Sequence, residues 1–108
     1  MAIVPTNRLE LALTRIAESD ERCAELKGNM LRCEFLAKTA ESVAFKACEG
    51  SIEDRKHQAR LTPEVQSAWE RYFQAVVEYE KCKARREREF TLIELYRTEQ
   101  ASLRRATV

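Results

Sequence analysis

Glycine and proline are nearly missing from this chain, with two of each in 108 residues. So few residues of free or fixed φ leave little room for hairpin turns, and none for a glycine-rich loop that cradles phosphate, so Walker and dinucleotide-binding motifs are excluded. No apolar run reaches the length of about 18 residues that a membrane-spanning helix needs. The first residues, Met1 to Pro5, lack the charged leader, apolar stretch and cleavage site of a secretory signal. A cytoplasmic protein without membrane contact is therefore expected.

Recognisable catalytic and metal chemistry is also missing. The single histidine, His57, has no nucleophile at a familiar spacing, and the four cysteines form no C-x-x-C pair. Cys23, Cys33 and Cys82 fall on apolar stripes, where cysteine serves as a small buried hydrophobe. Carboxylates scatter among basic residues, as in Glu18 with Arg22 and Glu34 with Lys38, the i to i+4 pattern of surface pairs. The expectation is a protein that is not an enzyme, with no metal and no cofactor.

What the chain does have is 34% charged and 44% hydrophobic residues, the profile of long helices. Its length suits one domain. Pro5 marks an extended entry, and Asn7 with Glu10 three residues on reads as an N-cap. From there Leu9, Ala12, Ile16, Ser19, Cys23, Leu26, Met30, Cys33, Ala37, Ala40, Ala44 and Ala47 advance by alternating steps of three and four, the seam of a coiled coil. The pattern keeps its phase across Gly28 and Asn29. One continuous helix is favoured there, with a break into a three-helix bundle as the alternative. Gly50 suits a left-handed helix end, Ser51 with Asp54 a cap for a short helix Ile52 to Leu61, and Thr62-Pro63-Glu64 a second long helix start. The second seam comprises Val65, Ala68, Tyr72, Ala75, Tyr79 and Cys82, then Ile93, Tyr96 and Leu103, with Arg86 and Glu89 where core residues should stand.

These steps predict an all-α fold: two long antiparallel helices, about 7–49 and 63–105, joined by a short helical connection into a coiled-coil-like hairpin that occupies residues 1–108 as one domain. Leu36, Val43, Trp69, Phe73, Val76, Phe90 and Leu92 lie off the seam and would remain wet in a lone hairpin, so a homo-oligomer built by lateral packing is expected.

Charge is nearly balanced overall but not along the chain. Residues 1–50 carry seven Lys/Arg against eight Asp/Glu, whereas 81–105 carry eight against four. Lys81, Arg85 and Arg88 share one helix face, a stripe that can follow a phosphate backbone. Arg55, Lys56 and Arg60 form a second basic cluster. Phe90 and Tyr96, with Arg97 and Arg104, interleave aromatics with charge in the manner of single-strand binders. The rival reading is structural: counting from the turn places Arg86 near Glu25, where Arg86, Glu89 and Glu25 would form a polar layer that sets helix register.

Glu53-Asp54-Arg55-Lys56 with Ala59, Tyr79-Glu80 with Lys83, and Ile93 followed by Tyr96-Arg97-Thr98, Ala101 and Arg104 resemble short helical proteins of tailed phages and prophages from recombination and replication gene clusters. Lys83-Ala84-Arg85 is similar to the basic element of UvsY-type recombination mediators, small helical homo-oligomers that bind single-stranded DNA and help load a recombinase in place of the single-strand-binding protein. The resemblance implies a non-catalytic accessory protein that contacts single-stranded DNA through Lys81, Lys83, Arg85, Arg86 and Arg88, with a recombinase or single-strand-binding protein as partner. A helical protein-binding module, acting as adaptor or inhibitor, is the alternative, and a coiled-coil spacer is the blandest one.

Overall fold

The computed structural model describes residues 4–106, and all regular structure among them is helical. Helix α1 spans Thr6–Ala47, α2 Ile52–Leu61 and α3 Pro63–Ala106. Helix α1 runs unbroken through Gly28, where no side chain or neighbouring backbone lies within 4 Å of where a Cβ would be. The three-helix alternative is not adopted. One exposed glycine costs about 1 kcal/mol of helix propensity, which the unbroken seam on both sides offsets.

The helix ends follow local chemistry, with two corrections. Pro5, not Asn7, occupies the cap of α1: its carbonyl accepts from the N–H groups of Arg8 and Leu9 at 3.0 and 3.1 Å. Asn7 lies inside the first turn, and its side chain accepts only from the adjacent Arg8 N–H. Gly50 is the one described residue with positive φ, at 116°, as a left-handed turn after α1 requires. Ser51 Oγ accepts from the Asp54 N–H at 3.2 Å, the expected cap of α2. Thr62 takes the cap position before Pro63, and its carbonyl accepts from Gln66. Its hydroxyl, however, donates backward to the Gln58 carbonyl at 3.2 Å, so it closes α2 and does not cap α3.

Helices α1 and α3 pack against each other, and the chain divides into two compact units. The first comprises α1 up to Ala24 with α3 from Glu80 onward, and the second comprises Glu25–Tyr79. The three-four pattern survives in both. Every seam position from Leu9 to Ala44 and from Val65 to Tyr96 is buried or half-buried.

In the second unit the buried residues are Ala37, Ala59, Val65, Ala68 and Ala75. Alanine at the seam lets helix backbones approach closely. Helix α2 is fastened by Arg55, whose guanidinium donates to the Phe45 carbonyl at 3.2 and 3.3 Å and sits 4.2 Å from the Phe45 ring centroid. Gln58 donates to the Glu49 carbonyl, and Arg60 pairs with Glu41 at 3.7 Å. Two members of the second basic cluster, Arg55 and Arg60, thus hold the turn together.

In the first unit Val4, Ala12, Cys82 and Ile93 are buried together with one acid, Glu89. Cys23 and Cys82 are joined by a disulfide, with Cα atoms 5.9 Å apart. This corrects the reading of both as free buried hydrophobes. Cys33 and Cys48 are free thiols.

Candidate arginine groove

In the first unit the two helices run antiparallel, and the disulfide marks their register. Four residues beyond Cys82 on α3 is Arg86, and four residues before Cys23 on α1 is Ser19. These meet: Arg86 Nη1 donates to Ser19 Oγ at 2.8 Å and to the Ile16 carbonyl at 2.9 Å, while Nη2 pairs with Asp20. Glu25 is not the partner of Arg86. Counting residues from the turn misplaces Arg86 because the inter-helix offset in this unit is the one that brings Cys23 opposite Cys82.

One turn further along α3, Glu89 is 8% exposed. Its Oε1 accepts from Arg8 Nη2 at 3.0 Å and from Arg15 Nη1 at 3.2 Å, and its Oε2 lies 2.9 Å from Arg8 Nη1. The hydrogen bond from Arg8, opposed by burial and assisted by Arg15, holds the Glu89 carboxyl below the usual carboxylate range. The same hydrogen bond raises the Arg8 guanidinium above its ordinary value. Arg86 and Glu89 therefore do form polar cross-links at seam positions, each to its own partners on α1.

Beside these links lies a groove of about 940 Å³. Arg8, Arg15, Arg22 and Glu18 line it from α1, and Arg85, Arg88, Thr91 and Leu92 from α3, with Ser19, Cys82, Arg86 and Glu89 along its base. Six arginines face two glutamates. A single rule places most of the lining: Arg8, Arg15, Glu18, Arg22, Arg85, Arg88 and Leu92 each directly precede a seam residue. In an antiparallel pair, the residues preceding the seam on both helices share one side. Arg8, Arg15 and Arg22 recur every seven residues, so they rise along α1 by about 10 Å per step.

The residues expected to bind DNA separate accordingly. Arg85 and Arg88 line the groove and are exposed. Arg86 is committed to α1 by its hydrogen bonds. Lys81 is exposed one turn before Arg85, outside the lining, and Lys83 directly follows the seam residue Cys82, which puts it on the opposite side. Phe90 also follows a seam position and lies 5.7 Å from the Arg86 guanidinium across its ring. Tyr96 is half-buried on the seam, and Arg97 pairs with Glu94. The aromatics are thus not brought to the basic stripe.

Sequence reasoning missed Arg8, Arg15 and Arg22. Their seven-residue spacing, each one place ahead of Leu9, Ile16 and Cys23, was the available signal. Among the described residues no cluster of three His, Cys, Asp or Glu could hold a metal ion, and no helix is long and apolar enough to cross a membrane. No family model, curated protein or solved structure matches the chain.

Proposed function

We propose that the chain is a non-catalytic accessory protein that binds single-stranded DNA by its phosphate backbone along the arginine groove, as a mediator in phage-type recombination or replication. The observation that carries this reading is the excess of arginine over acid around one groove, with Arg85 and Arg88 exposed beside the Arg8, Arg15 and Arg22 ladder. Guanidinium groups take phosphate oxygens bidentately, and a ladder about 21 Å long from Arg8 to Arg22 offers contacts to several consecutive phosphates. Lacking stacking aromatics in the groove, the protein would bind with little sequence preference. A recombinase or single-strand-binding protein would be the protein partner in that role, and self-association of the chain belongs to the same reading. Cytoplasmic residence no longer follows from the cysteines, since a structural disulfide is the chemistry of oxidising compartments.

Fluorescence anisotropy with labelled oligodeoxythymidylate tests this. Affinity is expected to fall with salt at a log–log slope of about 0.7 per phosphate neutralised. The double variant R85E/R88E is expected to abolish binding with helicity retained, while K83E keeps it. No binding at tens of micromolar, or binding indifferent to R85E/R88E, overturns the proposal.

A second reading, a protein-binding module, is favoured by one observation: Leu31, Phe35, Leu36, Val43, Ile52, Leu61, Phe73 and Val77 of the second unit are all exposed.

A further inference from the structure

We infer that the second unit carries a face that docks on the same face of a second copy of this chain, forming a twofold four-helix bundle. The inference rests on the reading of self-association and adds the surface that performs it.

The first argument is area. A compact monomer of 12.6 kDa exposes about 6,200 Å², whereas this chain exposes 8203 Å². The excess of about 2,000 Å² is more than twice the roughly 800 Å² that one partner contributes to a standard interface. The buried side chains agree, for only Val65 among the larger ones is fully enclosed.

The second argument is position. Leu31 on α1 and Trp69, Phe73 and Val76 on α3 each directly follow a seam residue, and Phe35 and Val77 lie just outside them. Residues that follow the seam share one side of an antiparallel pair, the side away from Leu36 and Val43. Phe35 is 68% exposed, and Leu31, Phe73 and Val77 are each about half exposed. Trp69 and Phe73 stack at 6.1 Å between centroids, and Tyr72 lies within 5.7 Å of both, so the aromatic part is already ordered. Such ordering lowers the entropy cost of docking.

The third argument is self-complementarity. A twofold interface meets its own copy, so an unbalanced charge on it would face its like. The charged residues that follow the seam beside Leu31 and Phe35 are Glu34 and Lys38, already paired with each other at 2.8 Å. The hydrogen bond from Lys38 to Glu34 raises the lysine pKa, which keeps the pair charged and closed at neutral pH. The face is therefore electrically neutral to its copy.

Sedimentation equilibrium, combined with maleimide labelling of single cysteines introduced into a C33A/C48A background that keeps the disulfide, tests the inference. The expected results are a mass of twice the chain, protection of Phe35→Cys that disappears on dilution, and fast labelling of Val43→Cys at every concentration. F73E is expected to give a monomer that remains helical. A monomer mass at all concentrations overturns self-association and gives the face to an unlike partner. An oligomer in which Phe35→Cys labels as fast as Val43→Cys overturns this face while leaving self-association intact. Neither result bears on DNA binding, which R85E/R88E reads separately.

Discussion

The two units of this protein are built from the same three-four seam, yet they are held by different forces. The first is joined by a disulfide and by guanidinium hydrogen bonds from Arg8, Arg15 and Arg86 that cross from helix to helix. The second is joined by alanine contacts and by the attachment of α2, and it leaves its larger apolar side chains outside: eight of the thirteen exposed ones among the described residues belong to it. The difference teaches that the periodicity of a seam specifies helix pairing but not what the pair is for. Residues flanking the seam decide that. In the first unit those flanks are arginines around a groove, suited to an anion, and in the second they are apolar and aromatic, suited to another helix surface.

Breaking the disulfide should have the largest effect. Cys23 and Cys82 lie 59 residues apart in sequence, and closing a loop of that length stabilises a fold by about 4 kcal/mol in the chain-entropy view. Urea unfolding with and without reductant should show a midpoint shift of that size, and C82S should match the reduced protein. If reduction left the midpoint in place, side-chain hydrogen bonds alone would be fastening the first unit, and the contrast with the second would narrow.

A smaller effect is expected from the opposite disturbance in the second unit. Ala37 is fully buried, so A37L forces the helices apart and should cost about 2 kcal/mol by overpacking, seen as faster hydrogen exchange around Val65 to Ala75. An unchanged exchange pattern would mean that the alanine seam has slack, and that close approach is not what holds this unit.

The smallest effect sharpens the charge side of the comparison. Because the folded Glu89 carboxyl is depressed below its ordinary value, its contribution is complete above the unfolded carboxylate pKa of about 4.3 and is lost as pH falls through the lower folded value. Replacing it, as in E89Q, should cost about 1 kcal/mol at neutral pH, since half-exposed arginines are partly screened. It should also flatten the acid limb of the stability curve. An acid limb of unchanged slope in E89Q would assign the acid sensitivity to other carboxylates.

The seam was legible from the residues because it depends only on periodicity: Leu9 through Ala44 and Val65 through Tyr96 are inside as their spacing demands. Continuity through Gly28 and the Ser51 cap were legible for the same local reasons. The register was not. It is a long-range quantity, and a count from the turn puts Arg86 beside Glu25, whereas the cysteine pair puts it beside Ser19 and Asp20. The disulfide itself was hidden because a seam cysteine looks like any small hydrophobe until its partner's register is known. The role of Arg86 was half legible: its seam position marked it as structural, and its place within a basic run suggested DNA. Arg85 and Arg88 were legible as a stripe, but the α1 half of their groove could be assigned only once the helices were paired.

The disulfide has a consequence for the chain's integrity. Cys23 and Cys82 bracket the entire second unit, so a protease that nicks the backbone once anywhere between them leaves a single covalent molecule, both fragments retained until a reductant parts them. The second unit can unravel without losing hold of its own ends, and it begins every refolding as a closed ring.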